Sequence, residues 1–171
     1  PIYQRFQGLL SCDFHKVNAK LRLRYAYCSI FYPQSPMKTQ STLELSDVQA
    51  IAAAAQAEAQ KNKWAVSIAI VDAGGHLLHF QRLDGAAPVS SHIAPAKAKT
   101  AALGHRETKV YEDMINAGRY SFLSAPTIEG MLEGGVPIMK DGACIGAVGV
   151  SGVKSTEDAQ IAKAGIAAIG L

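Results

Sequence analysis

Arg82-Leu83-Asp84-Gly85 closes an apolar run, and Lys97 and Thr100 follow at a spacing that places them on one face of a helix. A guanidinium and an ammonium converging on one loop would bind a carboxylate, such as a propionate or a small oxo-acid. The plainer use of Arg82 and Asp84 is to pair with neighbours and shape the loop. The histidines give less. His76 and His79 lie three apart on a predicted strand, so they point to opposite faces and cannot share a metal without a bulge. His92 and His105 lie thirteen apart and face different ways even on one helix. Either can still give a single nitrogen to a metal that another group carries, or serve as an ordinary surface histidine.

Other chemistries find little support. Glu107, Glu112, Asp113 and Arg119 form a second polar cluster, but their spacing offers no clean carboxylate pair for acid–base work. Ser151 has no histidine–acid partnership, and no G-x-S-x-G elbow occurs. Gly146-x-x-Gly149-x-x-Gly152 is not the dinucleotide fingerprint, and no phosphate-binding GxxxxGK[ST] exists. Glycines inside a β-prone run imply a close approach to the backbone. The visitor is either an alanine-rich helix or a ligand lying against the strand end near Ser151 and Gly152.

The elements that must position these residues read as helix, hairpin, helices, hairpin, helix. Ser46 is a helix cap, and Val48, Ile51, Ala52, Ala55 and Ala59 form one apolar stripe after it. Residues 64–72 and 76–83 make a hairpin around Ala73-Gly74-Gly75. A helix from Ser90 to Gly104 is rich in alanine, and another runs from Thr108 to Ala117. Residues 119–133 are loop, with a short strand or turn around Tyr120 to Leu123. The next hairpin, Gly135 to Ser151, turns at Asp141-Gly142, the pair suited to a type I′ turn. Ser155-Thr-Glu-Asp158 opens a last helix in capping-box style, with Ile161, Ala162, Gly165, Ala168 and Ile169 as its apolar face. Two hairpins cannot make a parallel βαβ sheet, so the expected class is α+β, an antiparallel β-sheet flanked by α-helices.

Composition bounds the rest. Of 171 residues, 49% are hydrophobic, enough for a sizeable core. The net charge of +3 is too small to suggest a nucleic-acid partner, and no apolar run approaches a membrane span. Cys12, Cys28 and Cys144 show neither metal spacing nor a disulfide framework, which fits a cytoplasmic setting. The chain divides near residue 37. Residues 1–36 read as an N-terminal extension carrying Arg5, Lys16, Lys20, Arg22 and Arg24 against Asp13 alone. Its apolar Tyr25–Tyr32 stretch is faintly like a secretion signal but lacks a small-residue cleavage site. Pro1 raises the chemistry of an N-terminal proline base, which nothing else supports. Residues 37–171 form the expected domain.

Four blocks in order resemble the GlcG/HbpS family, which includes the C-terminal domain of PduO-type proteins. They are Val66–Gly75, Arg82–Ala86, Ala94–Ala102 and the Gly134–Gly152 hairpin, with Lys163-Ala-Gly165 as a fifth. Together they cover roughly residues 42–171. The Thr108–Asp113 segment with Gly118-Arg119 is similar to members found in catabolic operons. The resemblance implies haem as cofactor, in storage, sensing or handling, and self-association into a dimer or larger homo-oligomer. It equally allows an enzyme or accessory protein acting on a small carboxylated metabolite. The ligand-binding residues expected on this reading are Arg82, Asp84, Lys97, Thr100, Gly135, Pro137, Ser151 and Gly152. His92 is the first choice for an axial iron ligand and His105 the second. Two departures mark this chain: His92 stands where an acidic residue is expected, and His105-Arg-Glu107 replaces an aromatic or proline-containing stretch.

Overall fold

Side chains alternate along a strand, so the two inner strands of the sheet each serve two different cores. The computed structural model describes residues 39–171. The expected extension 1–36, with its basic excess, Pro1, Cys12 and Cys28, lies outside the described residues, as does the boundary at Met37. The elements are α1 (Leu45–Lys61), β1 (Ser67–Asp72), β2 (Leu77–Arg82), α2 (Ser90–Gly104), α3 (Lys109–Asn116), a 3₁₀ turn (Tyr120–Ser124), β3 (Gly135–Lys140), β4 (Ala143–Ser151) and α4 (Ser155–Ala167). The four strands form one antiparallel sheet in the order β2-β1-β4-β3. The α+β class and the element order expected from sequence are what the chain adopts.

One sheet face meets α1 and α4. Ile68, Ile70, Val136, Ile138, Val148 and Val150 pack there with Ile51, Ala55 and Ala59 of α1 and Ile161, Ala162 and Ile166 of α4. The other face meets α2 through small residues alone: Ala69, Val71 and Ala147 against Ala94, Ala98, Ala101 and Ala102. Gly149 makes that second contact possible. A Cβ at this position would collide with the Ala94 carbonyl and the Ala98 amide, so the helix backbone rides directly on β4. At Gly149 the close visitor is therefore the protein's own helix, whereas Gly146 faces the Val71 carbonyl and Leu43.

A buried ion pair ties the two helical layers together around the sheet's end. Lys97 of α2 is 2% exposed, and its Nζ donates to Asp158 Oδ2 of α4 at 2.8 Å and to the Val150 carbonyl at 3.0 Å. Asp158 Oδ1 also accepts the Val153 N–H at 3.3 Å. Burial pushes the Asp158 carboxyl above its ordinary pKa, against the opposing pull of the Lys97 ammonium. Gly134 (φ +125°) lies so near that a Cβ there would stand 2.8 Å from Lys97 Nζ and from Asp158 Cβ.

Local chemistry sets the ends. Asp141 and Gly142 both take positive φ, 50° and 78°, as a type I′ turn requires. Asp72 holds the other hairpin turn, accepting the Gly74 N–H at 2.8 Å and the His76 N–H at 2.9 Å. Some expectations shift. Glu44, not Ser46, precedes α1, with its N–H held by Asp47 at 2.9 Å. Lys154, not Ser155, precedes α4, because Glu157 reaches back to the Lys154 N–H at 3.2 Å. Of the strand or turn expected around Tyr120 to Leu123, the chain takes the turn, a 3₁₀ one over Tyr120–Ser124. Ile166 is buried in α4, and Ala168 lies beyond its end, exposed.

Two outcomes follow for equilibrium unfolding in urea. Gly149→Ala should cost about 3 kcal/mol, the upper end of overpacking penalties, since backbone atoms must move to admit the methyl. Lys97→Met should cost about 3–5 kcal/mol by leaving Asp158 buried without its partner. The double change Lys97→Met/Asp158→Leu should recover most of that loss. An additive double mutant would show that the pair is not coupled.

Candidate functional site

Where α1 ends, the chain must reverse into β1, and the residues that make this turn also wall a cavity. Lys63 N–H bonds the Gln60 carbonyl at 3.0 Å and Trp64 N–H bonds the Ala59 carbonyl at 2.9 Å. This is a Schellman closure with Lys63 (φ +60°) at the left-handed position that glycine normally takes. A side chain there costs about 1–2 kcal/mol. Trp64 follows, half-buried, packed on the main core from its edge. The end of β2 brings Arg82 and Asp84 to the same place. Together with Gln56 and Gln60 of α1 they line an open surface cavity of about 480 Å³. That falls within the usual range of roughly 300–1,000 Å³ for small-molecule sites.

The cavity wall holds two cations, Lys63 and Arg82, one carboxylate, Asp84, two side-chain amides and one large ring. Among the described residues none of these three charged groups has an ion-pair partner. The reading in which Arg82 and Asp84 simply pair with neighbours is thus not what the fold builds. Unpaired cations beside an aromatic surface can take an anion that has a flat apolar body.

The other expected site residues separate into different neighbourhoods. Arg82 sits opposite Ser67 on β1, which in turn sits opposite Ser151 on β4, so these three share a row across the sheet. Ser67 Oγ lies 2.8 Å from Ser90 Oγ, and Ser151 is buried beside it. Lys97, expected to converge with Arg82, is spent on the internal ion pair with Asp158. Thr100 is likewise internal, its Oγ1 accepting the Gly130 N–H at 3.1 Å. Gly135 donates to Thr108 Oγ1 at 2.9 Å. Gly152 (φ +152°) lies against the Ala65 carbonyl, where a Cβ would stand 2.5 Å away. Pro137 lines a separate apolar cavity of about 230 Å³ with Met139, Lys163 and Ile166.

His92 and His105 are both exposed, at opposite ends of α2, and neither lines any of the cavities described. At a rise of about 1.5 Å per residue they stand roughly 20 Å apart, so one iron cannot take both within a chain. His76 is held at the hairpin turn, its Nδ1 3.1 Å from Asp72. His79 lies opposite Ile70, with its Nε2 buried and lacking a partner among the described residues. No group of three or more metal-binding side chains occurs among the described residues. The second polar cluster also disperses. Glu107 pairs with Lys163 at 3.0 Å and Asp113 with Lys109 at 3.0 Å, while Glu112 accepts the Glu133 N–H. Arg119 lies over the Phe122 ring at 4.6 Å. Cys144 is buried, which raises its thiol pKa, and it bonds the Gly146 carbonyl at 3.3 Å. It is a packing residue, not a nucleophile.

Lys63, Trp64, Gln56 and Gln60 are the site residues that sequence reasoning missed. Their signal was present: the α1 pattern runs into Asn62-Lys63-Trp64 without the glycine a helix stop favours, and the chain's single tryptophan follows at once.

Comparison with known proteins places this geometry. The family model described as "Haem degrading protein HbpS-like" matches residues 43–167. Protein GlcG of Escherichia coli K12 is 56% identical over 115 residues, spanning 67% of this chain and 85% of that protein. The corrinoid adenosyltransferase PduO of Salmonella typhimurium LT2 is 31% identical over 161 residues, spanning 92% of this chain but only 48% of that longer protein. Among solved structures, the PduOC–haem complex superposes with a TM-score of 0.67 at 32% identity, covering 75% of this chain and 95% of that one. A double mutant of HbpS from Streptomyces reticuli superposes with a TM-score of 0.72 at 31% identity, covering 82% and 95%. Sequence and fold agree: this chain belongs to the HbpS-like family.

Proposed function

We propose that the chain is a haem-binding module, used for haem storage, sensing or handling. The observation that carries this reading is the cavity at the α1–β1 junction, where Arg82, Lys63 and Trp64 meet. Its size suits an organic ligand, its two cations suit the two propionates of a haem, and the indole suits a flat macrocycle. The relatives lend weight, since the family is described by its dealings with haem and one structural relative was solved with haem bound.

In this role Arg82 and Lys63 orient the ligand by its acid groups while Trp64 shields one apolar surface from water. Asp84 sets the sense of binding by repelling carboxylates from its own side of the mouth. Bound haem supplies an iron centre capable of ligand exchange and electron transfer. If the iron is ligated, His92 in the first turn of α2 would be the first donor and His105 the second; neither lines the cavity, so the acid groups and the indole would hold the ligand without them. A cytoplasmic setting and self-association into a dimer or larger homo-oligomer complete the proposal. No helix among the described residues is long and apolar enough to cross a membrane. A second reading, an enzyme or accessory protein for a small carboxylated metabolite, draws on the same unpaired Arg82 and Lys63.

Titration of the full chain with hemin should give a saturable one-to-one Soret change. Arg82→Ala should weaken binding roughly tenfold or more, the worth of one charge-assisted hydrogen bond. His92→Ala should remove the low-spin spectrum without altering the elution volume. A spectrum unchanged in that variant would move the search to His105, and non-saturating uptake by the parent would turn attention to small carboxylic acids.

A further inference from the structure

The cavity is well furnished for the periphery of a haem and poorly furnished for its iron. Among the described residues that line it there is no histidine, cysteine, methionine or tyrosine. The histidine nearest along β2, His79, sits on the face that packs against the main core, with its Nε2 enclosed. His92 and His105 stand elsewhere on the surface of α2. What the cavity does offer is two cations without an ion-pair partner among the described residues, one carboxylate, two amides and a ring.

From this mismatch we infer that the cavity recognises a planar dianion by its two carboxylates and its flat face, and not by a metal. The ligand class is a porphyrin dicarboxylate, metal-bearing or metal-free. The inference rests on the haem reading of this cavity and narrows it: the protein handles the tetrapyrrole as such, so a metal-free porphyrin acid is a ligand in its own right.

Lys63 carries the argument further than Arg82 does. The turn after α1 needs a left-handed residue, and glycine would supply it without strain. Lys63 occupies the position at a conformational cost, its side chain forms no ion pair among the described residues, and it lines the cavity. Strain kept at a cavity wall, where relief would be simple, points to a use for the side chain. With Arg82 at the end of β2, Lys63 provides the second of two separate anchors. One anchor holds a monocarboxylate; two at different places select a dicarboxylate. Trp64, next in sequence, fixes the plane between them.

The chain contains one tryptophan, at the cavity wall, so its fluorescence reports the site directly. Absorbance-corrected Trp64 emission should be quenched saturably by protoporphyrin IX and by hemin, with dissociation constants within roughly tenfold of each other. Protoporphyrin dimethyl ester, whose carboxylates are blocked, should not compete. Lys63→Gly should weaken both acids about tenfold while holding or raising the melting temperature, and Lys63→Arg should retain binding. A merely structural role for Lys63 would not separate affinity from stability in this way. Binding of hemin but not protoporphyrin would overturn the inference and leave the haem reading intact. Binding of neither would overturn both. Binding of both with no Trp64 quenching, and with no response to Lys63→Gly, would show that the ligand sits elsewhere and would overturn the inference.

Discussion

A single ammonium, buried between two helical layers, is the constraint around which this fold is arranged. Lys97 leaves α2 on one side of the sheet and meets Asp158 of α4, which packs on the other, with the Val150 carbonyl as its second acceptor. Such a group can stay charged in the interior only if its partners are held in place. Holding them dictates much else. Gly134 must lack a side chain to let the pair form, and Gly149 must lack one so that α2 rides low enough on β4. The alanines of α2 follow from the same closeness, since larger side chains would lift the helix away from the sheet.

That arrangement leaves the candidate site at the margin of the core. The ion pair and the packing around it join α2, α4 and the inner strands β1 and β4. The cavity is built where α1 hands the chain to β1 and where β2, an outer strand, comes to its end. Its walls are therefore anchored on one side and open on the other. Trp64 shows this directly, packing on the core while contributing to the cavity. Such a site can vary its charged residues without disturbing the ion pair.

Much of this was legible in the sequence, and the errors are instructive. The α1 stripe, both hairpins and the type I′ turn at Asp141-Gly142 follow from periodicity and turn chemistry, and they stand as expected. Arg82 and Asp84 do line a cavity. Sequence alone makes Lys97 a ligand anchor, converging with Arg82 on one loop to bind a carboxylate. Yet positions 94, 97, 98 and 101 make one helical stripe, and three of them are buried alanines. The stripe placed Lys97 inside; charge alone argued otherwise, because its partner, Asp158, is sixty-one residues distant. Lys63 and Trp64 were missed for the opposite reason. Nothing in their periodicity marks them, and their importance lies in a left-handed turn that only the backbone reveals.

The most direct test of the account is a crystal structure of the full chain grown with hemin. The account predicts a macrocycle lying against Trp64, with its propionates directed to Arg82 and Lys63. A haem bound on the outer surface of α2, held through His92 or His105 and touching none of those three residues, would contradict it.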